Sequence, residues 1–209
     1  MVKAIKVMLI PNNVQQTKLF QYAGASRFAY NWALAREIEN YEKGGKFISD
    51  AELRKEFTKL RHSDEYAWLL NISNNVTKQA IKDACHAYKR FFKGCSKFPK
   101  FKSRKFSIPS FYQDNVKIQF SDTHVKIEGF AASKKKNKQK INWIRLAKKN
   151  RIPTDCNYSN PRIRYDGINW WITVGIEYED SVSVSSNDGI GIDLGIKDLA
   201  ICTDTLVRN

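Results

Sequence analysis

Apolar residues near the start of the chain predict a strand followed by a long helix. Residues 2–10 are mostly β-branched or apolar with lysines between them, and Pro11 with the two asparagines after it ends this strand in a turn. From Val14 to about Tyr41, apolar residues recur at helical spacing until Gly44-Gly45 ends the pattern. One strand and one helix are therefore expected in this part of the chain.

Three further helices are predicted after it. A Ser-Asp-Ala-Glu capping box starts the first of them, which covers residues 49–61. A short helix covers residues 64–70, and a longer one starts after Ser73 and runs to Lys93, with Gly94 as its stop. The side of the last helix opposite its apolar stripe is cationic and carries Lys78, Lys82, Lys89 and Arg90.

Beyond Pro99 the helical period disappears and short alternating segments replace it. These segments are residues 116–120, 124–128, 141–147, 161–166 and 168–178. The last two join at Asp166-Gly167, a dipeptide typical of hairpin turns. Residues 181–188 are small and polar, which indicates a linker, and a new strand begins beyond them. The pattern favours a β-rich barrel or sandwich followed by a separate domain.

Composition and charge narrow the partner to a polyanion. Of the 209 residues 42 % are hydrophobic, enough to bury a core, and the formal net charge is +15. A surplus of this size is typical of proteins that bind nucleic acid or an anionic membrane. No apolar run reaches the roughly 18 residues needed to span a bilayer, and residues 1–10 are too short and too lysine-rich for a signal peptide. We therefore expect nucleic acid as the partner, no membrane, and a cytosol-like compartment.

The cysteines and histidines do not predict a metal site. The four cysteines lie far apart without a Cys-x-x-Cys pair, so neither a zinc ribbon nor a disulfide framework is expected. The three histidines are equally scattered and lack companion ligands. No zinc is expected in this chain.

Nearly the whole charge surplus lies in one part of the sequence. Residues 93–151 contain 17 Lys and Arg against three acidic residues. Clustered cations of this kind displace counterions from a phosphate backbone, so the window predicts a docking surface for nucleic acid. Cations alternate with aromatic rings over residues 97–106, and the cations there are Lys97, Lys100, Lys102, Arg104 and Lys105.

The rings and a second basic run complete this window. Phe98, Phe101 and Phe106 either stack on bases or anchor the segment in the core, and the sequence leaves both interpretations open. Residues 134–140 have no apolar partner and predict a mobile basic loop that gives affinity without reading sequence. The first lysines of that loop are Lys134, Lys135 and Lys136.

A single carboxylate is the one catalytic signal. Asp193 lies in an apolar stretch flanked by glycines, residues 189–195. A buried unpaired carboxylate is costly, so it normally binds a metal ion or accepts hydrogen bonds. The pattern is typical of the first strand of RNase H-like folds, with residues 199–203 expected to return antiparallel. Two alternatives stay open: the Asp-Leu-Gly strand of sugar kinases and actin-like ATPases, from which residues 196–198 depart, and an Asp that only caps a turn.

Five separated motifs together resemble TnpB, the OrfB-type proteins of bacterial and archaeal insertion sequences, which are related to type V CRISPR effectors. Their order and spacing run the length of the chain. The motifs are S-R-F-A-Y-N-W-A-L at residues 26–34, A-Y-K-R-F-F at 87–92, F-P-K-F-K-S-R-K at 98–105, W-W-I-T-V-G-I-E-Y-E at 170–179 and G-I-D-L-G-I-K-D-L-A-I-C-T-D at 191–204.

The resemblance implies an α+β fold class. Residues 1–13 and 97–182 would form a β-rich wedge barrel of the oligonucleotide-binding type. Residues 14–96 would be a helical recognition lobe inserted in it, and residues 183–209 would hold the first strands of an incomplete RNase H-like (RuvC) nuclease domain.

The resemblance also implies partners. Family members bind a guide RNA, read a short target-adjacent motif in double-stranded DNA, and cleave DNA with magnesium. Base pairing reads the sequence, while the protein reads shape, backbone and a few bases. By position, Arg54, Asn74 and Lys78 would face the target-adjacent duplex, unless they are ordinary solvated helix residues. Lys82 lies on the same cationic side as Lys78.

The expected nuclease centre is incomplete. Two-metal hydrolysis needs several carboxylates around ions about 4 Å apart, and the family supplies a Glu, a second Asp and a four-cysteine zinc motif further downstream. Asp193 would be the one catalytic and metal-binding residue here, and magnesium would bind only with a complete RuvC domain. We therefore expect a truncated protein that binds guide RNA and target DNA without cutting. A nuclease-dead RNA-guided repressor and a helix-turn-helix transposase or regulator stay open as alternatives.

Overall fold

The computed structural model of the chain describes residues 2–130, 141–154, 156–177, 191–193 and 201–203. The chain divides into two compact units, residues 1–178 and residues 179–209. The elements of the first unit are β1 (Val2–Ile10), α1 (Asn13–Glu42), α2 (Asp50–Leu60), a 3-10 helix (Asp64–Asn71), α3 (Asn74–Phe92), β2 (Ser110–Tyr112), β3 (Gln119–Phe120), β4 (His124–Lys126), β5 (Trp143–Leu146), β6 (Tyr158–Tyr165) and β7 (Trp170–Glu177).

The helices begin and end where local side chains fix their ends. At Asn12 the side chain accepts from the Gln15 N–H (2.9 Å) while the Gln15 amide accepts from the Asn12 N–H (3.0 Å). The capping box predicted at Ser49 is confirmed, since Ser49 and Glu52 exchange the same pair of bonds before α2. Gly94 follows α3 with φ +69°, a conformation that glycine adopts without strain. Local chemistry therefore sets these boundaries.

The strands form one antiparallel seven-stranded sheet in the order β2-β6-β7-β1-β5-β4-β3. β1 pairs with β7 from Val2 to Leu9 and with β5 at its end, so the first strand of the chain joins the two halves of the sheet. The hairpin predicted at Asp166-Gly167 is confirmed, because β6 and β7 pair up to Tyr165 and Trp170. The structure is thus a mixture of helices and antiparallel sheet, as expected.

The sheet is strongly curved. Its two edge strands, β2 and β3, are separated in sequence only by residues 113–118. The edges of a flat sheet of this width would lie about 29 Å apart, whereas the connection reaches at most about 25 Å when fully extended. The connection also contains a turn, in which the Asp114 carboxylate accepts the N–H groups of Val116 and Lys117. Phe120 of β3 accordingly contacts Tyr158 of β6, with ring centroids 4.8 Å apart.

Two details of the strand prediction are wrong. Residues 116–117 were expected in a strand and lie in the Asp114 turn instead. β2, which pairs with β6 through Phe111, was not predicted. It has only three residues, which are too few to show an alternating pattern.

α1 packs against the sheet and carries much of the core. The Tyr22 ring meets Phe130 edge to face (5.0 Å) and lies 5.4 Å from Phe111. Phe20 contacts Trp170, which is 1 % exposed. The Gln15 amide donates to the carbonyls of residues 141 and 143, and so ties the start of α1 to β5. Helices and sheet therefore share one core.

The second unit contains the strands β8 (Gly191–Asp193) and β9 (Ile201–Thr203), which pair antiparallel with Asp193 opposite Ile201. Residues 134–140 and 181–188, for which a basic loop and a linker were predicted, lie outside the described residues. Among the helices that the structure describes, none has the length and apolarity to cross a membrane.

Candidate nucleic-acid interface

Residues 97–107, the basic segment, are fixed on the helices by Asn31 of α1. The Asn31 side-chain oxygen accepts from the Lys102 N–H, and its amide group donates to the Lys102 carbonyl, each at 2.8 Å. Nearby, the Phe98 ring lies edge-on to Phe91 of α3, with centroids 5.0 Å apart. An extended stretch without secondary structure is therefore held at two points.

A closed turn orders the second half of the basic segment. The Ser103 hydroxyl accepts from the Phe106 N–H, and the Ser107 hydroxyl accepts from the Ser103 N–H, both at 2.9 Å. A backbone bond from Ser107 to Ser103 closes the same turn. Arg104 and Lys105 lie inside it and are exposed, so they project from an ordered backbone.

Lys102 differs from the other cations of the basic segment. Its ammonium lies 3.9 Å from the centroid of the Tyr30 ring, and its side chain is half-buried. Burial lowers the pKa of Lys102, although the nearby Asp83 carboxylate acts in the opposite direction. Lys102 thus helps to hold the segment on the helices, while Lys97, Lys100, Arg104 and Lys105 are exposed.

Asp83 of α3 is neutralised by β6. Both of its oxygens accept from the Arg162 guanidinium, at 2.6 and 3.1 Å, and the Gln79 amide donates to one of them at 2.8 Å. This bidentate contact raises the pKa of Arg162. Lys78 and Lys82 are exposed on α3 and form no ion pair with any residue that the structure describes. These two cations of α3 are therefore not neutralised by a described carboxylate.

The interpretation of the phenylalanines as core anchors is wrong for Phe101 and Phe106, whereas Phe98 packs edge-on against Tyr88 and Phe91 of α3. Phe106 is 83 % exposed, Phe101 55 % and Phe98 44 %. The backbone clamp at Asn31 and the buried Pro99 also anchor the segment. The exposed rings of Phe101 and Phe106 are therefore free to meet a ligand.

Two other predicted contact residues have different surroundings. Arg54 pairs with Asp50 at 3.0 Å and also donates to the Asp50 carbonyl, so its charge is largely used within the first turn of α2. Asn74 begins α3 and is exposed.

Sequence reasoning missed a groove along α1. One cavity of about 590 Å³ lies between α1 and the basic segment and is lined by Arg27, Lys102 and Arg104 among others. A second cavity of about 500 Å³ lies between α1 and the 3-10 helix. Both include Gln21, Gly24 and Arg27 in their lining. Arg27 and Asn31 belong to the S-R-F-A-Y-N-W-A-L motif, which was the available signal for them.

Asp193, the predicted metal ligand, lies at the end of β8, and the structure describes only its backbone. Within the described ranges, no three His, Cys, Asp or Glu side chains lie close enough together to hold a metal ion.

Residues 1–46 match the family described as a helix-turn-helix domain and named for OrfB of IS605. In this structure those residues comprise β1 and the single helix α1 rather than two helices joined by a short turn.

Two curated relatives match almost the whole chain. One, from Escherichia coli K12, is named as a candidate RNA-guided DNA endonuclease, InsQ, and is 28 % identical over 98 % of this chain and 48 % of its own length. The other, a candidate RNA-guided DNA endonuclease from Streptomyces pristinaespiralis, is 24 % identical over 94 % of this chain and 47 % of its own. The chain thus spans about half the length of these relatives. The comparisons confirm the resemblance found in the sequence motifs.

Among solved structures, a cryo-EM structure of a Cas12f1–sgRNA–target DNA complex superposes with a TM-score of 0.43 and 16 % sequence identity. The superposition covers all of this chain and 55 % of the other.

Proposed function

We propose that this chain, a relative of the TnpB (OrfB-type) proteins, is the nucleic-acid-binding N-terminal part of an RNA-guided DNA endonuclease of an insertion sequence. It binds a guide RNA and the target-adjacent DNA duplex. The observation that carries the proposal is the basic segment, in which four exposed cations are held on an ordered backbone by Asn31. Relatives named as RNA-guided DNA endonucleases support the choice of partners.

The curved sheet supports a wedge barrel of the oligonucleotide-binding type. Its edge strands are brought toward each other by a short connection, as a barrel requires. The helices of residues 14–96 follow β1 and precede β2, which is the position of an inserted recognition lobe. Residues 183–209, in this proposal, contribute the first strands of a RuvC-like domain.

In this proposal, different exposed cations contact different parts of the nucleic acid. Lys97, Lys100, Arg104 and Lys105 contact phosphates, which fixes the position of a nucleic acid without reading its sequence. On α3, Asn74, Lys78 and Lys82 face the target-adjacent duplex. Lys134, Lys135 and Lys136 add sequence-independent affinity. Lys102 and Arg54 contribute less to binding, because one is half-buried against Tyr30 and the other is paired with Asp50.

Cleavage requires more than these residues supply. Asp193 offers one carboxylate at the end of β8, and a two-metal centre needs several. We therefore derive no cleavage step, and expect magnesium to act only with a complete nuclease domain. The purified chain with guide RNA, magnesium and target DNA should occupy the target without cutting it. Cutting that is lost in Asp193→Asn would contradict this part of the proposal.

Sequencing of RNA that copurifies with the chain tests the guide. We expect strong enrichment of one RNA species, and loss of that RNA from a variant in which Lys97, Lys100, Arg104 and Lys105 are all replaced by Gln. RNA recovered in the proportions of the total cellular pool, or equal recovery by both proteins, would contradict the proposal.

A helix-turn-helix regulator is less well supported. α2 ends at Leu60 and α3 begins at Asn74, with the 3-10 helix between them. A helix-turn-helix joins its helices by a turn of about three or four residues. A sharp preference of the RNA-free protein for one duplex sequence would favour that alternative.

A further inference from the structure

The two cavities along α1 share the helix face formed by Gln21, Gly24 and Arg27, and we call this feature the α1 groove. Its first part runs beside the basic segment and its second part beside the 3-10 helix. These residues are spaced by three along the helix, so they lie on one side of it. One side of α1 therefore lines both parts of the groove.

The charge of the α1 groove suits an anion. Arg27 is half-buried and, among the described residues, forms no ion pair. Arg104 and Lys102 add two more cations in the first cavity. Among the described residues, neither cavity has an acidic side chain in its lining. Because a partly buried guanidinium normally has a carboxylate or phosphate partner, an anionic ligand would complete this site.

The apolar part of the α1 groove suits unpaired bases. In the second cavity Trp68 is 46 % exposed and is supported edge-on by Phe28, with centroids 5.6 Å apart. In the first cavity Phe20 and Ile108 are also partly exposed. Aromatic side chains stack on bases that are splayed out of a helix, whereas duplex bases are stacked on each other. Both cavities have the size of small-ligand sites, roughly 300–1,000 Å³.

We infer that the α1 groove binds a single-stranded segment of nucleic acid, with phosphates at Arg27 and Arg104 and an unstacked base against Trp68. The inference rests on the proposed function and adds a specific site and strand state to it. The strand crosses α1 over Gly24, between the two cavities.

Gly24 makes the inference testable without loss of folding. An added Cβ at Gly24 would meet no atom within 4 Å, so the space above it is open. Glycine inside a helix is less stable than alanine. A larger residue at this position should therefore stabilise α1 while it fills the path of the strand.

The experiment compares Gly24→Leu with Ala35→Leu, which adds the same side chain to an exposed position of the same helix. Affinities of the 209-residue chain are measured for a labelled ten-nucleotide single-stranded RNA, the DNA strand of the same sequence, and the matching DNA duplex. We expect Gly24→Leu to weaken single-strand binding about tenfold, with a Tm equal to or above that of the wild type. Ala35→Leu should bind as the wild type does. The RNA and DNA arms show which strand the groove prefers.

Two more variants test the same groove by a smaller side chain and by the loss of a charge. Gly24→Ala should raise the Tm by about 2 °C and weaken binding two- to threefold. Arg27→Gln should weaken binding about tenfold, whereas Lys59→Gln, an exposed cation on α2, should not.

Specific results would overturn the inference. Wild-type affinity in Gly24→Leu and Arg27→Gln, while neutralisation of the basic segment still abolishes binding, would reject the groove and leave the proposed function intact. An equal loss of duplex binding would reject the assignment to single strands. No binding of any nucleic acid by the wild type would reject both proposals.

Discussion

At the scale of single residues, Glu37 is a carboxylate that the core holds at a cost. It is 1 % exposed, and only one of its oxygens accepts a described hydrogen bond, from the Ile48 N–H at 3.2 Å. Burial raises the pKa of Glu37. A carboxyl group whose folded-state pKa is raised favours folding at low pH, and this contribution is lost as the pH rises through that pKa.

Glu37→Gln should therefore stabilise the protein at pH 8, by about 1 kcal/mol, because the substitution removes a poorly solvated charge. The gain should shrink toward pH 4, where the wild-type carboxyl group is neutral. Urea unfolding at several pH values measures it. Glu42→Gln, an exposed change on the same helix, is the matched control. A Glu37→Gln protein less stable than the wild type at pH 8 would contradict this account.

Asp166 has the opposite effect on the pH dependence of stability, because its pKa is lowered rather than raised. Its carboxylate accepts the N–H groups of Asn169 and Ile168 and the indole N–H of Trp171, which lower the pKa of Asp166 to about 2. A depressed pKa gives stability that is present above pH 4 and lost as the pH falls through about 2.

We expect Asp166→Asn to lower the Tm at pH 5 and to make the Tm less sensitive to pH between 4 and 2. Thermal melts over that range provide the measurement. Asp122→Asn, another exposed aspartate of the sheet region, should follow the wild-type curve. Identical pH curves for Asp166→Asn and the wild type would rule out this role of the hairpin carboxylate.

At the scale of elements, the basic segment depends on Asn31 for its position. Asn31→Ala removes both hydrogen bonds to Lys102 without changing the charge of the protein. We expect RNA affinity to fall about fivefold and stability to fall by about 1–2 kcal/mol. Trypsin should cleave faster within residues 97–105, because the segment is no longer held.

Asn13→Ala, an exposed change in the first turn of α1, is the control for that experiment. Weaker binding with unchanged trypsin cleavage would show that Asn31 acts in some way other than positioning the segment.

The sequence predicted elements whose signals are local. The capping box at Ser49, the stop at Gly94 and the turn at Asp166-Gly167 each depend on residues a few positions apart, and all are present. β2 was missed because three residues carry no detectable period. The curvature of the sheet depends on which strands become its edges, and periodicity does not carry that information.

Some features of the candidate site were likewise predictable from the sequence, and others were not. Its cations were visible from composition alone, because charge clustering needs no knowledge of the fold. The clamp was not, since Asn31 and Lys102 are 71 positions apart and asparagine has many ordinary roles. The exposure of Phe106 was also unpredictable, because alternation with lysines fits both an anchor and a stacking surface.

At the scale of the whole molecule, the net charge of +15 is concentrated in one part of the chain rather than spread along it. Arg162 of β6 neutralises Asp83 of α3, while the exposed Lys78 and Lys82 form no ion pair with any described residue. The helices and the curved sheet share a core, and the basic segment is fixed on the helices with four exposed cations. Exposed cations of this kind should release counterions when they bind a polyanion.

The salt dependence of RNA binding tests this central claim most directly. The affinity of the 209-residue chain for RNA is measured against salt concentration, together with two fourfold variants to Gln. One variant changes Lys97, Lys100, Arg104 and Lys105, and the other changes the exposed Lys3, Lys46, Lys55 and Lys59. We predict that the first variant alone reduces the slope of log affinity against log salt by about 3, close to 0.7 for each lost single-strand phosphate contact. Equal slopes for the wild type and both variants, or an equal reduction in both variants, would contradict a binding surface centred on the basic segment.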